Sequence, residues 1–339
     1  MNINPRKLSI EDIAKKARVS VTTVSFVLNN NPSISEKTRK KVLKIIKDVG
    51  YYPNINARSL SSQKTNTIAV VVPELTHIFE DPYFSRAVSG VYDTVEKASY
   101  RLLLKKASLE FAVNKEYLKL FFRKEIDGII YVGSTLRDFY LGDFNKYPFP
   151  FVQINSFSYN ENIPYVMVDN HKIGYLATEY LIKSGCKNIT HIAGSMDTTS
   201  GIERLDGFLE AMKRYNISLN NHSIIDGGFT QADGYNGVKR IFNNNYKVDG
   251  IFATNDLVAI GCLGALRELN IKVPDNVSVI GADNIEQSAI TNPPLSTVDM
   301  PTYEMAKRAT ELLLEAIENK TKVKSKVFEP ELVIRKSTR

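Results

Sequence analysis

The sequence predicts an α/β protein with a small all-α unit at its amino end and a larger region of parallel sheets arranged in two lobes. Three observations lead to this prediction. Residues 8–53 carry helical periodicity and helix-capping residues, and short apolar runs then alternate with helical stripes over about 260 residues. The excess of basic charge is confined to the amino end. Because the alternating region is too long for one open sheet of usual size, two lobes are expected.

The first helix of the amino-terminal unit is predicted from its cap and its apolar stripe. Ser9 and Asp12 have the spacing of a capping box, with Asp in place of the usual Glu. The apolar residues that recur at helical spacing are Ile10, Ile13, Ala14 and Ala17. A turn at Val19-Ser20 follows, and Ser20 is placed to cap the next helix.

Two further helices complete this unit. The apolar stripe of the second helix consists of Val21, Val24, Val27 and Leu28. The third helix begins after the cap residue Ser35 and ends at Gly50. Its inward-facing residues are predicted to be Val42, Leu43, Ile45 and Ile46. We therefore predict a three-helix domain over residues 8–53.

The first two helices and their tight turn are typical of a helix-turn-helix, which lays its second helix in the major groove of DNA. The polar side chains of the second helix are short enough to donate to phosphates or base edges, and Phe26 can contact a thymine methyl group. The candidate DNA-contacting residues are Ser20, Val21, Thr22, Thr23, Ser25, Phe26 and Asn29. The alternative is a helical bundle whose Ser and Thr side chains simply face water.

The charge distribution favours the DNA-binding alternative. The chain of 339 residues has 44 Lys+Arg and 37 Asp+Glu, a formal net charge of +7. Residues 1–65 contain 13 basic and 4 acidic residues, whereas residues 66–339 contain 31 and 33. Basicity that is confined to one segment indicates a polyanionic partner for that segment.

In the rest of the chain, predicted strands and helices alternate. Residues 68–72 form a continuous apolar run before Pro73, which is typical of a strand buried on both faces. The predicted strands are 68–72, 101–104, 128–132, 151–154, 165–168, 189–193, 223–225, 250–253 and 277–281. The predicted helices are 83–98, 114–123, 171–184, 201–215, 232–243, 257–269 and 303–319. This alternation predicts parallel sheets with helices on both faces.

Several stretches of the chain match a known family in the family's own order. Those in the amino-terminal part are IEDIAKKARVSVTTVSFVLNN, ISEKTRKKVLKIIKDVGYYPN and NARSL. The later ones are DPYFSRAVSGV, VDNHKIGYLATEYLIKSG, ERLDGFLEAM, IFATNDLVAIG, VPDNVSVIGADN and NPPLSTVDM. With these motifs the chain resembles the lactose/galactose repressor (LacI/GalR) family of bacterial transcription regulators. The resemblance implies a DNA-binding headpiece at 8–53, a hinge helix and linker at 54–66, and a two-lobed, periplasmic-binding-protein-like core at 67–339 for ligand binding and dimerisation.

The hinge is a helix of under two turns, capped by Asn54 and followed by a polar linker. A helix this short is marginal in water by itself. The resemblance implies that Asn54, Ala57 and Leu60 contact DNA, with Leu60 inserted as an apolar wedge into a minor-groove base step. An ordinary linker with one exposed Leu is the alternative from the residues alone. A hinge that folds only with DNA and a partner hinge would act as a switch.

The candidate ligand site lies where predicted strands of the core end, because α/β folds bind ligands there. The residues at these positions are Arg204, Asn255, Asp256 and Asp283. The resemblance implies ligand contacts for Arg204, Asn255 and Asp283, and it places Tyr83, Phe84 and Phe229 at aromatic positions of the pocket. Arg and Asp together suit the adjacent hydroxyl groups of a sugar. The alternatives are a structural ion pair for Arg204 and Asp283, helix capping for Asp256, and core packing for Phe84 and Phe229.

Residues for other chemistry are scarce. The four histidines have no metal-ligand spacing, and neither a phosphate-binding loop nor a nucleophile elbow is present. We therefore expect no catalytic residue, no metal and no cofactor. Two cysteines are too few for a disulfide framework, and the sequence has no signal segment and no apolar run long enough for a membrane span. A cytoplasmic protein without a membrane partner is expected.

The chain is predicted to be a sequence-specific transcriptional regulator that acts as a repressor. A small ligand is expected to control its affinity for the DNA operator. A homodimer is expected because a pseudo-palindromic operator requires two-fold symmetry and because no heptad segment follows residue 339. A sugar is the expected effector. The alternatives are a regulator of the same fold that responds to a purine, a nucleoside or a protein corepressor, and a sugar-acting α/β enzyme with a DNA-binding appendage.

Overall fold

The structure, a computed structural model, describes residues 8–28, 31–51, 64–157 and 162–339. The chain divides into two units, Met1–Thr65 and Asn66–Arg339. Four of the predicted DNA-contacting residues lie outside the described residues, namely Asn29, Asn54, Ala57 and Leu60.

The described part of the first unit contains three helices, α1 (Ile10–Ala17), α2 (Val21–Leu28) and α3 (Glu36–Val49). The predicted caps are present: Ser9 forms a capping box with Asp12, Ser35 accepts from the backbone of Thr38, and Gly50 ends α3 in the left-handed conformation. The buried core of this unit consists of Ile13, Ala14, Ala17, Val24, Val27 and Val42. The three helices therefore enclose most of the predicted apolar stripes, but Val21 of the second stripe is 40% exposed.

One predicted core residue of the first unit is exposed. Leu43 was expected to face inward, but 44% of its surface is accessible, whereas its neighbour Val42 is fully buried. Successive residues of an α-helix point about 100° apart, and α1 and α2 cover the side of α3 that carries Val42. The prediction for Leu43 was wrong.

The second unit contains twelve strands and nine helices among the described residues, besides two 3-10 segments. The strands are β1 (Thr67–Pro73), β2 (Arg101–Ala107), β3 (Gly128–Val132), β4 (Phe151–Ile154), β5 (Tyr165–Val168), β6 (Ile189–Ile192), β7 (Ile224–Ile225), β8 (Gly250–Ala253), β9 (Ser278–Asp283), β10 (Ser296–Asp299), β11 (Lys326–Phe328) and β12 (Glu331–Val333). The helices are α4 (Pro82–Lys97), α5 (Leu109–Val113), α6 (Glu116–Phe122), α7 (Asn170–Lys183), α8 (Thr199–Arg214), α9 (Gln231–Asn243), α10 (Asp256–Glu268), α11 (Glu286–Ile290) and α12 (Thr302–Asn319). The 3-10 segments are Ile78–Glu80 and Phe139–Lys146.

These strands form two sheets, one in each lobe. The sheet of the N-lobe has the order β11-β5-β4-β3-β1-β2, and all its neighbouring strands are parallel. The sheet of the C-lobe has the order β12-β10-β9-β8-β6-β7, and only β12 pairs antiparallel. The fold class predicted from the sequence is confirmed.

The chain crosses between the lobes three times, between β5 and α7, between β10 and α12, and between β11 and β12. Contacts between the lobes occur at the carboxyl ends of their strands. The backbone N–H of Leu136, after β3, donates to the carbonyl of Asp197, after β6, at 2.8 Å. Arg137 forms an ion pair with the Asp197 carboxylate at 3.4 Å. The cleft between the lobes is thus bounded by strand ends from both sheets, which is where α/β folds place ligands.

Within the residues that the structure describes, no helix combines the length and the apolar character needed to span a membrane. Both cysteines, Cys186 and Cys262, are reduced and buried in the core of the second unit.

Candidate functional site

Helix α2 has one face packed in the core of the first unit and another that is exposed among the described residues. Val24 and Val27 are buried in the core of the first unit, and this fixes the outward direction of the other residues of the helix. Thr22 and Phe26 lie four residues apart on the outward side, since one turn takes 3.6 residues. Val21 and Phe26 are 40% and 39% exposed, an arrangement that leaves apolar groups available to a partner.

The hydroxyl groups at the start of α2 have a structural role as well. Ser20 Oγ accepts a hydrogen bond from the backbone N–H of Thr23 at 3.0 Å, and the two hydroxyl oxygens are 2.8 Å apart. Ser20 is therefore the N-cap that the sequence predicted. Ser25 is partly buried. Of the predicted DNA-contacting residues that the structure describes, Ser20, Val21, Thr22 and Phe26 are exposed, whereas Thr23 and Ser25 are half-buried.

The exposed charge on this unit is mainly basic. Exposed lysines and arginines occur in the last turn of α1, at its C-cap, and along α3. They are Lys15, Lys16, Arg18, Lys37, Lys40, Lys41, Lys44 and Lys47. A basic surface of this kind is suited to contact with the phosphate backbone of DNA.

In the second unit, Arg204 lies at the bottom of the cleft and is 2% exposed. Its Nε donates to Asn170 Oδ1 at 3.0 Å and its Nη1 donates to the Thr254 carbonyl at 2.6 Å. Its Nη2 is 3.2 Å from Asp283 Oδ1 and 3.7 Å from Met300 Sδ. The guanidinium thus connects β8 and β9 to two of the three crossings between the lobes.

Asp283 is buried beside Arg204 at the end of β9. Burial raises the pKa of its carboxyl to about 6, although the Arg204 guanidinium opposes this shift. Its backbone φ of 105° lies in the left-handed region that is costly for a non-glycine residue. A strained, buried carboxylate with a raised pKa is typical of a functional site.

Buried polar atoms without a hydrogen-bond partner line the same region. They are the hydroxyl groups of Tyr83 and Thr254 and the side-chain carbonyl of Gln153. Burial, together with the charges of Asp283 and Asp81, raises the pKa of Tyr83, so its hydroxyl remains a donor. Because an unpaired buried polar group costs free energy, these atoms fit a polar ligand that would complete their hydrogen bonds.

Asn255 and Asp256 are brought to the same edge but are engaged within the C-lobe. Asn255 caps α10 by accepting from Val258 N–H at 2.8 Å and also donates to the Phe229 carbonyl at 3.1 Å. The two carboxylate oxygens of Asp256 accept bonds from Thr297 Oγ1 at 2.6 Å and from Ile285 N–H at 2.9 Å. Burial raises the pKa of Asp256 well above its usual range. These contacts favour a structural role for Asp256.

The two predicted aromatic positions at the start of α4 behave differently from each other. Phe84 is packed into the core beside Gly133. A Cβ atom at position 133 would lie 3.0 Å from the Phe84 ring, so glycine leaves room for the ring. Tyr83 lies edge-on to Phe84, with ring centroids 5.0 Å apart.

Phe229 is partly exposed on the C-lobe side. A Cβ at Gly194 would be 2.7 Å from its ring, so glycine is required there for the ring to fit. Tyr83 and Phe229 are therefore the aromatic residues accessible to a ligand.

Sequence reasoning missed four polar residues of the cleft. Asn170, at the crossing between β5 and α7, donates a hydrogen bond from Nδ2 to Asn155 Oδ1 at 3.1 Å, and Asn155 directly follows β4. Gln153 donates to Ser134 Oγ at 2.5 Å. Asp81 caps α4, and burial raises the pKa of its carboxyl. Asp81 stands in the stretch DPYFSRAVSGV, directly before a proline, and this spacing is a helix-start signal.

Among the residues that the structure describes, no group of three or more His, Cys, Asp or Glu is arranged to bind a metal ion. The residues described around the Arg204–Asp283 pair offer carboxyl, amide and hydroxyl groups and aromatic rings.

Comparison with known proteins extends over both units. Residues 9–54 match the model of bacterial regulatory proteins of the lacI family, and residues 178–338 match the periplasmic binding protein-like domain. The HTH-type transcriptional regulator RegA of Clostridium saccharobutylicum is 34% identical over 332 residues, covering 97% of this chain and 99% of RegA. The HTH-type transcriptional repressor PurR of Vibrio vulnificus is 34% identical over 330 residues, covering 96% of this chain and 97% of PurR.

A solved structure is similar over the same length. The complex of the transcriptional regulator CelR with cellobiose has a TM-score of 0.74 and 28% identity, covering 97% of this chain and 99% of CelR. The relatives are regulators rather than enzymes. Together with the exposed recognition helix and the polar cleft, these similarities show that the chain belongs to the lacI family of bacterial regulatory proteins and is a ligand-controlled, DNA-binding transcription regulator.

Proposed function

We propose that the cleft binds an uncharged sugar and that occupancy of the cleft controls how tightly α2 binds its operator. The observations that carry this proposal are the buried Arg204–Asp283 pair and the buried polar atoms of Tyr83, Gln153 and Thr254, which have no hydrogen-bond partner among the described residues. Hydroxyl groups of a sugar can donate to the carboxylate and accept from Tyr83. The cellobiose complex of CelR supports a sugar as the class of effector.

The charges of the cleft favour an uncharged ligand over a phosphorylated one. Arg204 already donates to Asn170, Thr254 and Asp283, so little of its hydrogen-bonding capacity remains. The carboxyl groups of Asp81 and Asp283 would repel a phosphate. A ring stacked against Phe229 and hydrogen-bonded to Asp283, Asn255 and Tyr83 fits the chemistry better.

On the DNA side, we propose that Val21, Thr22 and Phe26 contact bases in the major groove, with Ser20, Thr23, Ser25 and Asn29 at phosphates or neighbouring base edges. Asn54, Ala57 and Leu60 are proposed to act in the minor groove, with Leu60 as the wedge. Two headpieces of a homodimer would match the two half-sites of a pseudo-palindromic operator. A regulator of this kind acts in the cytoplasm, where bacterial DNA is.

Coupling between the sites requires that the effector binds two lobe arrangements with different affinity. Arg204 contacts residues at two lobe crossings, Asn170 and Met300, so a ligand that changes the bonds of Arg204 changes groups that join the lobes. The resulting rotation of the lobes would alter the separation of the two hinges in the dimer.

A thermal-shift screen of the full chain tests the proposed effector class. The probes are neutral mono- and disaccharides, the corresponding sugar phosphates, and nucleosides, each tested on the wild type and on Asp283→Asn. A specific ligand raises the melting temperature by mass action. We expect a neutral sugar to stabilise the wild type and not the variant. A nucleoside that stabilises the wild type through Asp283 would contradict the sugar proposal and support the purine alternative.

A further inference from the structure

The N-lobe carries a run of alternating lysines that the ligand site does not use. We define this lysine segment as residues 320–326; it contains Lys320, Lys322, Lys324 and Lys326, and all four are exposed. Residues 318–326 hold these four lysines and a single acidic residue, Glu318. This local excess contrasts with residues 66–339 as a whole, which have 31 basic and 33 acidic residues.

Local structure is sufficient to explain why lysine stands at two of these four positions. Lys320 ends α12 in the left-handed conformation, where a cation is favourable beside the free carbonyl groups of the helix. Lys326 begins the edge strand β11, where lysine discourages pairing with another chain, and its Nζ lies 4.9 Å from the centre of the Phe328 ring.

Lys322 and Lys324 have no such explanation. Neither forms an ion pair with a carboxylate in the part of the chain that the structure describes. Lys322 also lines a groove of about 870 Å³ together with Lys320 and Lys146. Lys146 is already paired with Asp143 at 2.8 Å. Lys322 and Lys324 thus add unpaired positive charge at this end of the lobe.

The place of the lysine segment in the sheet is informative. Strands β11, β5, β4, β3 and β1 are all parallel, so β11 and β1 begin at the same edge of the sheet. β1 begins directly after Asn66, where the chain enters this unit from the DNA-binding unit. β11 lies four strand positions from β1, a distance of about 19 Å at the usual spacing between strands.

We infer that the lysine segment binds phosphates of duplex DNA that flanks the operator, outside the bases read by α2. The headpiece is joined to the lobe at this edge, and DNA is the polyanion that the protein binds. The interaction adds affinity that depends on salt and on the length of the duplex, and it adds no sequence specificity. This inference rests on the DNA-binding function of the chain.

The test uses the full chain and two duplexes that contain one operator selected from random sequence by the wild-type protein. One duplex ends at the operator, and the other extends ten base pairs beyond it on each side. The triple variant Lys320→Gln, Lys322→Gln, Lys324→Gln is compared with a matched control, Lys187→Gln, Lys247→Gln, Lys272→Gln. The control lysines are exposed and precede β6, β8 and β9, at the amino ends of C-lobe strands.

We expect the first triple variant to bind the extended duplex about tenfold more weakly than the wild type at physiological salt, and the short duplex equally well. Its slope of log affinity against log salt should fall by about 0.9 for each phosphate that the variant no longer neutralises. The control variant should match the wild type on both duplexes. If both triple variants bind the extended duplex equally well, the inference is overturned; this result is expected if the lysine segment binds an acidic protein instead of DNA. Equal losses of affinity for the short and the extended duplex would also overturn it. Failure of the wild type to select any operator would instead refute its DNA-binding function.

Discussion

The headpiece and the cleft use polar residues in opposite ways. In the headpiece the apolar residues Val24 and Val27 are buried, whereas Thr22 and Phe26 are exposed among the residues that the structure describes. In the cleft the charged residues Arg204 and Asp283 are buried, and each is held by the protein itself. The comparison indicates that DNA contacts can be altered without loss of fold, whereas ligand contacts are part of what holds the lobes together.

The largest effect is therefore expected in the cleft. Arg204→Ala should lower the free energy of unfolding of the second unit by about 3–5 kcal/mol, because it leaves Asp283 buried without its partner. Urea denaturation followed by circular dichroism measures the loss. The double variant Arg204→Met, Asp283→Asn removes both charges and should recover part of the stability. A loss below about 1 kcal/mol for Arg204→Ala would mean that the pair does not hold the lobes.

The headpiece should show the reverse pattern. Thr22→Ala and Phe26→Ala should each weaken operator binding by about 1–3 kcal/mol, that is, about 5- to 150-fold, with unchanged thermal stability, since both side chains are exposed. Val24→Ala, the buried control, should cost about 2 kcal/mol of headpiece stability. Fluorescence anisotropy with labelled operator and thermal denaturation separate the two effects. Unchanged operator binding in both exposed variants would contradict the assignment of α2 as the recognition helix.

The pH dependence of effector binding sharpens the comparison further. Burial raises the pKa of Asp283 to about 6, so its protonated form is favoured in the folded state, and this contribution to stability is lost as pH rises through 6. A ligand that donates to the carboxylate favours the ionised form. Effector affinity should therefore rise about tenfold from pH 5 to pH 7, with release of a proton. Isothermal titration calorimetry in buffers of different ionisation enthalpy measures both. A flat profile would indicate that Asp283 does not contact the effector.

The smallest effect is expected at the mouth of the cleft. Arg137 is 80% exposed and pairs with Asp197 across the lobes at 3.4 Å. Exposed pairs contribute about 0–1 kcal/mol, so Arg137→Ala should speed effector dissociation by less than about fivefold. Stopped-flow measurement of dissociation gives the ratio. The backbone bond from Leu136 to Asp197 remains in the variant, and a much larger acceleration would show that the ion pair alone closes the cleft.

The headpiece and the cleft also differ in how much of their structure could be predicted from the sequence. The helical stripes and caps of the headpiece are local patterns, and they predicted α1, α2 and α3, although Leu43 was wrongly expected to face inward. The continuous apolar strands of the core were equally visible, because strands buried on both faces carry few polar residues. Strands β10, β11 and β12 were missed, since three or four residues such as Ser296–Asp299 give no periodic signal.

The cleft was predicted only in part. Local pattern together with family resemblance predicted Arg204, Asn255 and Asp283 as ligand contacts, and this stays a prediction. Asn170 and Asn155 meet only when the first lobe crossing forms, and nothing in their neighbouring residues indicates that contact. For Asp256, the sequence could not distinguish ligand contact from a structural role, because the bonds to Thr297 and Ile285 come from distant segments.

The central claim is that the recognition surface and the sensing cleft are separate sites joined by a conformational coupling. The most direct test is the affinity of Asp283→Asn for operator, measured with and without the sugar that stabilises the wild type. The account predicts that the variant binds operator within about threefold of the ligand-free wild type and no longer responds to the sugar. A variant that still responds fully, or that loses operator binding while remaining folded, would contradict it.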